Sequence, residues 1–119
     1  MAISTKEFLK ASKKLGDALA QEKNEFIRDS VIQRFEFCVE LAWKTGRKVM
    51  GTATSAPKQV MREMAQNALI DEVDIWLQAI EQRNLSSHTY NEDLAEEVYT
   101  FIVKFYPNIQ KLAETLEKS

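Results

Sequence analysis

The sequence is poor in the residues that break or staple a chain: among 119 residues there are three glycines, two prolines and one cysteine. A β-sandwich or barrel needs turn residues every few positions, so this scarcity disfavours sheet-rich folds and favours helices. The single thiol, Cys38, cannot close an internal disulfide, and the opening of the chain lacks the basic start and apolar run of a signal peptide. A cytoplasmic protein is therefore expected. No apolar stretch approaches the roughly 18 to 20 residues that span a bilayer, and no helix carries a basic membrane-lying face, so no membrane association is expected either. An excess of positive charge is also missing: 16 lysines and arginines stand against 18 acidic residues, so at a net charge of −2 there is no chain-wide field to hold nucleic-acid phosphates, and any such contact has to be local.

Other chemistries are missing as well. There is no Walker-type or dinucleotide-binding glycine motif. One histidine and one cysteine leave no strong metal constellation, and Asp71, Glu72 and Asp74 read as the acidic start of a helix, so neither metal nor cofactor is expected. Ser86, Ser87, His88 and Asp93 superficially suggest a hydrolase triad, but they are neighbours in sequence and lack a nucleophile elbow. Cys38 lies within an apolar helix face and reads as a buried structural thiol.

What is present is a composition, 45% hydrophobic and 29% charged, that fits a single globular domain over residues 1–119. Ser4 or Thr5 can cap a first helix with Phe8, Leu15 and Leu19 on one stripe, Ser12 among them, running to about Gln21. A central second helix begins near Asp29 or somewhat earlier, carries Val31, Phe35, Cys38, Val39, Ala42 and Val49, and stops at Gly51. Ser55-Ala56-Pro57 starts a short third helix with Val60, Met61 and Met64, ending near Ala68. Asp71 is the expected cap of a fourth helix whose Val73, Trp76, Leu77, Ile80 and Asn84 fall on one face. The fifth, from about Asn91 or Asp93, carries Leu94, Val98, Phe101, Ile102, Phe105, Ile109, Leu112 and Leu116. Its stripe keeps phase across Pro107, which predicts one kinked helix rather than two. The architecture expected is an all-α, antiparallel up-and-down bundle of four long helices and one short.

The pattern breaks at the end of the fourth helix. Asn84 is placed in the middle of the apolar stripe, with Arg83 and Ser87 on its flank, and a buried amide without partners costs on the order of 1 to 3 kcal/mol. Read singly, Asn84 is a core amide that fixes helix register, and His88, the only histidine, is a helix-end cap. Read together, Arg83, Asn84, His88 and Tyr90 gather a permanent cation, an amide, a group that titrates near neutrality and a phenol, a set suited to a phosphate ligand. Cleavage of RNA needs a base for the 2′-hydroxyl, an acid for the leaving oxygen and a cation at phosphorus. One histidine per chain is one too few, so this chemistry predicts a two-fold dimer that pools two motifs. Phe37, away from the main apolar face of its helix, is a candidate interface residue. Lys44, Arg47, Lys48, Lys58 and Arg62 read mainly as helix-end charges in solvent, with a phosphate-tracking patch as the other reading.

The segment Arg83-Asn84-Leu85-Ser86-Ser87-His88-Thr89-Tyr90 has the form Arg-x4-His-x-Tyr. With Ser30 to Phe37, Glu40-Leu41-Ala42-Trp43-Lys44 and Trp76-Leu77, it resembles the HEPN superfamily and, within it, the nucleotidyltransferase substrate-binding branch, over about residues 28–106. The resemblance implies a dimeric helical bundle paired with a small nucleotidyltransferase, commonly as the toxin of a toxin–antitoxin pair. It maps Arg83 and His88 to a metal-independent ribonuclease motif, Asn84 to the polar residue after the arginine, with Ser87 in support, and Tyr90 to a tyrosine that the partner adenylylates in related systems. The second possibility is a non-catalytic subunit that presents a nucleotide or substrate to the nucleotidyltransferase. A blander third is an interaction protein whose polar cluster merely organises the bundle.

Overall fold

The computed structural model describes residues 5–118. They form five α-helices, α1 (Lys6–Leu19), α2 (Glu25–Met50), α3 (Pro57–Gln66), α4 (Val73–Leu85) and α5 (Glu92–Lys118), with a 3-10 turn over Ser86–His88. The arrangement is the all-α antiparallel bundle expected, drawn out to 42 × 23 × 20 Å. α2 is the hub and packs against all four other helices. Phe35 and Phe105 meet edge-on at 6.0 Å, and Trp76 lies against Phe105 at 4.7 Å, so one aromatic cluster joins α2, α4 and α5.

The helix ends follow local chemistry. α2 begins one turn before Asp29, because the Asn24 carboxamide accepts a hydrogen bond of 2.8 Å from the Ile27 amide. It ends at Gly51, whose φ of 66° is the left-handed conformation that closes the last turn. Pro57 opens α3 as expected. α3 stops at Gln66, two residues before Ala68. Ala68 takes the left-handed place at φ 59°, and the Leu69 amide returns 2.9 Å to the Met64 carbonyl. α5 starts after Asn91, whose side chain accepts from the Leu94 amide at 3.1 Å, and it is one helix through Pro107. That proline and Val103, whose carbonyl loses its donor, are both exposed, so the missing bond falls on the solvent-facing side of the helix.

Two expectations at the helix ends need correction, and a third is tested only for Thr5. Ser4 lies outside the described residues, and Thr5 occupies the N-cap of α1 without a side-chain bond. Asp71 does not cap α4. Glu72 holds that position with no capping bond, and Asp71 instead faces Lys111 of α5 at 3.7 Å. α1 ends at Leu19 rather than Gln21.

The corner where α4 meets α5

The buried row of α4 is Trp76, Ala79 and Ile80. At about 100° per residue, Arg83 continues that row, while Asn84 falls about 80° from Trp76. Asn84 is accordingly exposed, which overturns its expected place in the core. The broad face that included Leu77 and Val73, both only half-buried, pulled the sequence-derived axis towards Asn84.

Arg83 lies against α2. Its terminal nitrogen is 3.9 Å from Glu36 and its Nε 3.6 Å from Glu40, and Glu40 also takes Lys44 at 3.2 Å. Charges therefore alternate along the contact: Lys44, Glu40, Arg83, Glu36. The Nε is buried and lacks a hydrogen-bond partner among the described residues.

The turn after α4 is built by hydroxyls that reach back three residues to backbone carbonyls. Ser86 Oγ donates to the Arg83 carbonyl at 2.6 Å, Ser87 Oγ to Asn84 at 3.0 Å, and Thr89 Oγ1 to Ser86 at 3.1 Å. The Asn91 amide then donates to the His88 carbonyl at 3.1 Å, just before α5 starts. Ser86 is buried, whereas Ser87 and His88 are exposed and Tyr90 is 84% exposed. The rings of His88 and Tyr90 stand edge-on at 6.0 Å. Thr89 and Tyr90 form one wall of an open groove of about 520 Å³, and Asp29, Ser30, Gln33 and Glu36 of α2 form the other.

The far side of the corner is fixed by charge. Arg28 is buried and donates to Glu92 at 2.6 Å and Glu96 at 3.1 Å on the first turns of α5, and to its neighbour Asp29 at 3.0 Å. The bond to Glu92 above all, opposed by burial, raises the Arg28 guanidinium above its ordinary range, so it stays charged. Lys23 also bonds Glu96, and the bonds from Lys23 and then Arg28 hold that carboxyl below the usual range.

The structure thus brings His88 and Tyr90 together in solvent and sets Arg83 on the adjoining face of α4, half-buried against α2. Asn84 and Ser87 flank them as exposed groups. No hydrogen bond or ion pair links Arg83 to His88 among the described residues. Sequence reasoning missed Arg28 altogether, and it carried Glu36, Glu40 and Ser86 only as members of motifs, without the contacts they make to Arg83. The spacing of Glu36 and Glu40, one turn apart on α2, was the signal available. Cys38 is buried as expected. Phe37 is half exposed on the outer side of α2, and Phe26, 83% exposed, joins it.

Residues 4–118 match the family described as nucleotidyltransferase substrate binding protein like. Over 95 residues the chain is 32% identical to a protein of Haemophilus influenzae named probable ribonuclease HepT. The alignment covers 73% of this chain and 65% of that protein, so the chain spans less than two thirds of that curated relative's length. A crystal structure from Thermus thermophilus superposes with a TM-score of 0.72 at 29% identity, over 97% of both chains. A structure from Haemophilus influenzae, described as revealing the fold of a substrate-binding domain of a nucleotidyltransferase, superposes with a TM-score of 0.85 at 24% identity. It covers 96% of this chain and 99% of its own.

Proposed function

The chain belongs to the nucleotidyltransferase substrate-binding protein-like family and has its HEPN-like fold, and from that premise we propose that it partners a small nucleotidyltransferase as the toxin of a toxin–antitoxin pair, acting as a metal-independent endoribonuclease. The observation that carries the reading is the corner itself: an exposed histidine and tyrosine in contact, one turn beyond an arginine held on the adjoining helix face. The name of the Haemophilus relative points to the same activity.

In the proposed reaction His88 removes the proton from a 2′-hydroxyl. The 2′-oxygen attacks phosphorus, the bond to the 5′-oxygen breaks, and the products are a 2′,3′-cyclic phosphate and a 5′-hydroxyl. Arg83 balances the charge that builds on the phosphoryl oxygens. The leaving 5′-oxygen needs a proton, and the second acid is the partner subunit's His88, which makes the active species a homodimer. Asn84 supplies a neutral donor at the rim, and Ser87, whose hydrogen goes to the Asn84 carbonyl, presents its hydroxyl oxygen beside it. Tyr90 presents its phenol to the nucleotidyltransferase. Attack of that oxygen on the α-phosphorus of ATP, with loss of pyrophosphate, would leave an adenylate beside His88 and silence the site.

Purified protein is incubated with total RNA and with transfer RNA in the presence of chelator, beside an Arg83→Ala, His88→Ala double variant. Cleavage by the native form alone is expected. No cleavage by native protein of unmodified intact mass would remove the ribonuclease reading. A mass raised by adenylate would identify a silenced toxin.

The pairing of Arg83 with two carboxylates favours a second reading, a non-catalytic subunit that holds a nucleotide for the nucleotidyltransferase, with Arg83 and His88 as ligands. Calorimetry with ATP and with the nucleotidyltransferase tests it, and binding of neither would sink it.

A further inference from the structure

We propose that Glu36 and Glu40 act as an internal stand-in for a ligand phosphate, holding Arg83 until a nucleic-acid phosphate takes their place. The inference rests on the reading of Arg83 as a phosphate ligand and adds how that site is kept closed to other anions.

The distances carry it. At 3.6 and 3.9 Å the carboxylate contacts are close enough for ionic attraction but too long for hydrogen bonds, which fall at about 2.7 to 3.2 Å. The guanidinium is therefore balanced in charge without being bonded, and its Nε–H is buried with no acceptor among the described residues. An acceptor that bonds that fork directly replaces a loose pair with a charge-assisted one. Glu40 does not become an isolated charge when Arg83 turns away, because Lys44 stays on its other oxygen at 3.2 Å. Glu36 also lines the groove beside Thr89 and Tyr90, so a phosphate that enters that groove meets a negative charge.

The consequence is selectivity. Two unit charges about 4 Å apart, even in bulk water, change an affinity by roughly fivefold, and Arg83, 32% exposed, is less solvated than that limit. A small lone anion has to overcome both carboxylates alone. A strand with several phosphates brings further contacts to the outer surface and can displace them at one position.

The test uses an eight-nucleotide single-stranded RNA with 2′-O-methyl sugars, which resists 2′-hydroxyl chemistry, bound to full-length protein. An E36Q, E40Q double variant is expected to bind it roughly tenfold more tightly than native protein, with a gain that shrinks as salt is raised. In an Arg83→Ala background the same two substitutions should give a clearly smaller gain. Unchanged or weaker binding by the double variant overturns the exchange, as does an equal gain without Arg83. If Arg83→Ala alone binds as well as native protein, the underlying phosphate-site reading falls first, a different result from a native-like double variant. Nitrogen-resolved spectroscopy of the Arg83 Nε–H in native protein gives a readout independent of any variant. That signal should move on saturation with the oligonucleotide and stay still with equimolar inorganic phosphate; no movement with the oligonucleotide overturns the proposal.

Discussion

Tyr106 of α5 donates its hydroxyl hydrogen to the Ser12 carbonyl of α1 at 3.1 Å, and it does so in the space that Gly16 leaves empty. A methyl group on Gly16 would overlap the Tyr106 oxygen, which sits on a rigid ring and has no flexible end to yield.

Gly16→Ala is therefore expected to destabilise the protein by about 1 to 3 kcal/mol, despite the gain in helix propensity. In a Tyr106→Phe background the overlap with oxygen is gone while the ring carbon 3.1 Å from the added methyl remains, so the cost should fall without changing sign. Thermal or urea melts of the four proteins check this. An equal cost in both backgrounds would show that the hydroxyl is not the obstacle.

Ala68 has the opposite character. It holds φ 59° at the end of α3, where its Cβ crowds the backbone and glycine carries no such strain. Ala68→Gly should stabilise by roughly 0.5 to 1 kcal/mol, even after glycine's greater freedom in the unfolded chain is counted. A lower denaturation midpoint would contradict the strain.

Burial pushes the Cys38 thiol up to about 12, so almost no thiolate exists at neutral pH. Alkylation of native protein should be slow from pH 7 to 9 and should accelerate sharply at denaturant concentrations that unfold the chain. Rapid labelling of folded protein would mean that α2 opens locally.

Acid should loosen the corner. The Glu96 carboxyl is held below its usual range, so its contribution is present above the unfolded carboxylate range and is lost as pH falls through the depressed folded value. Stability measured from pH 7 down to pH 2 should therefore decline at the acid end, with a shallower decline in Glu96→Gln. Parallel curves for the two proteins would remove Glu96 from the acid response.

Asn84→Ala, at an exposed position, should shift stability by no more than about 0.5 kcal/mol while weakening oligonucleotide binding. A large loss of stability would return Asn84 to a structural role.

The helices were legible because their signals are local and repeated. Pro57, Gly51, Asn91 and the long stripe of α5 each name their own position. The motif was legible as a cluster, since Arg83, His88 and Tyr90 share eight residues of chain. The contacts that fix it were not, because Glu36, Glu40 and Arg28 lie far away in sequence and meet it only when α2 packs on α4 and α5. Asn84 shows the limit of a helical wheel: the axis drawn through half-buried Val73 and Leu77 was rotated from the one that packing chose. Asp71 shows the same at a helix start, where Lys111 on another helix offered a charge in place of a cap.

α2 has two occupied sides. Its inner row, from Val31 to Gly46, forms the core, while Glu36 and Glu40 on its outer flank meet Arg83. α1 buries Phe8, Ser12, Leu15 and Ala18 and turns Lys6, Lys10, Lys13 and Lys14 to solvent. Replacing those lysines alters the charge of the outer surface of α1 and leaves the packed stripe intact, whereas on α2 a substitution at Phe35, Glu36, Val39 or Glu40 reaches either the core or the contact with Arg83.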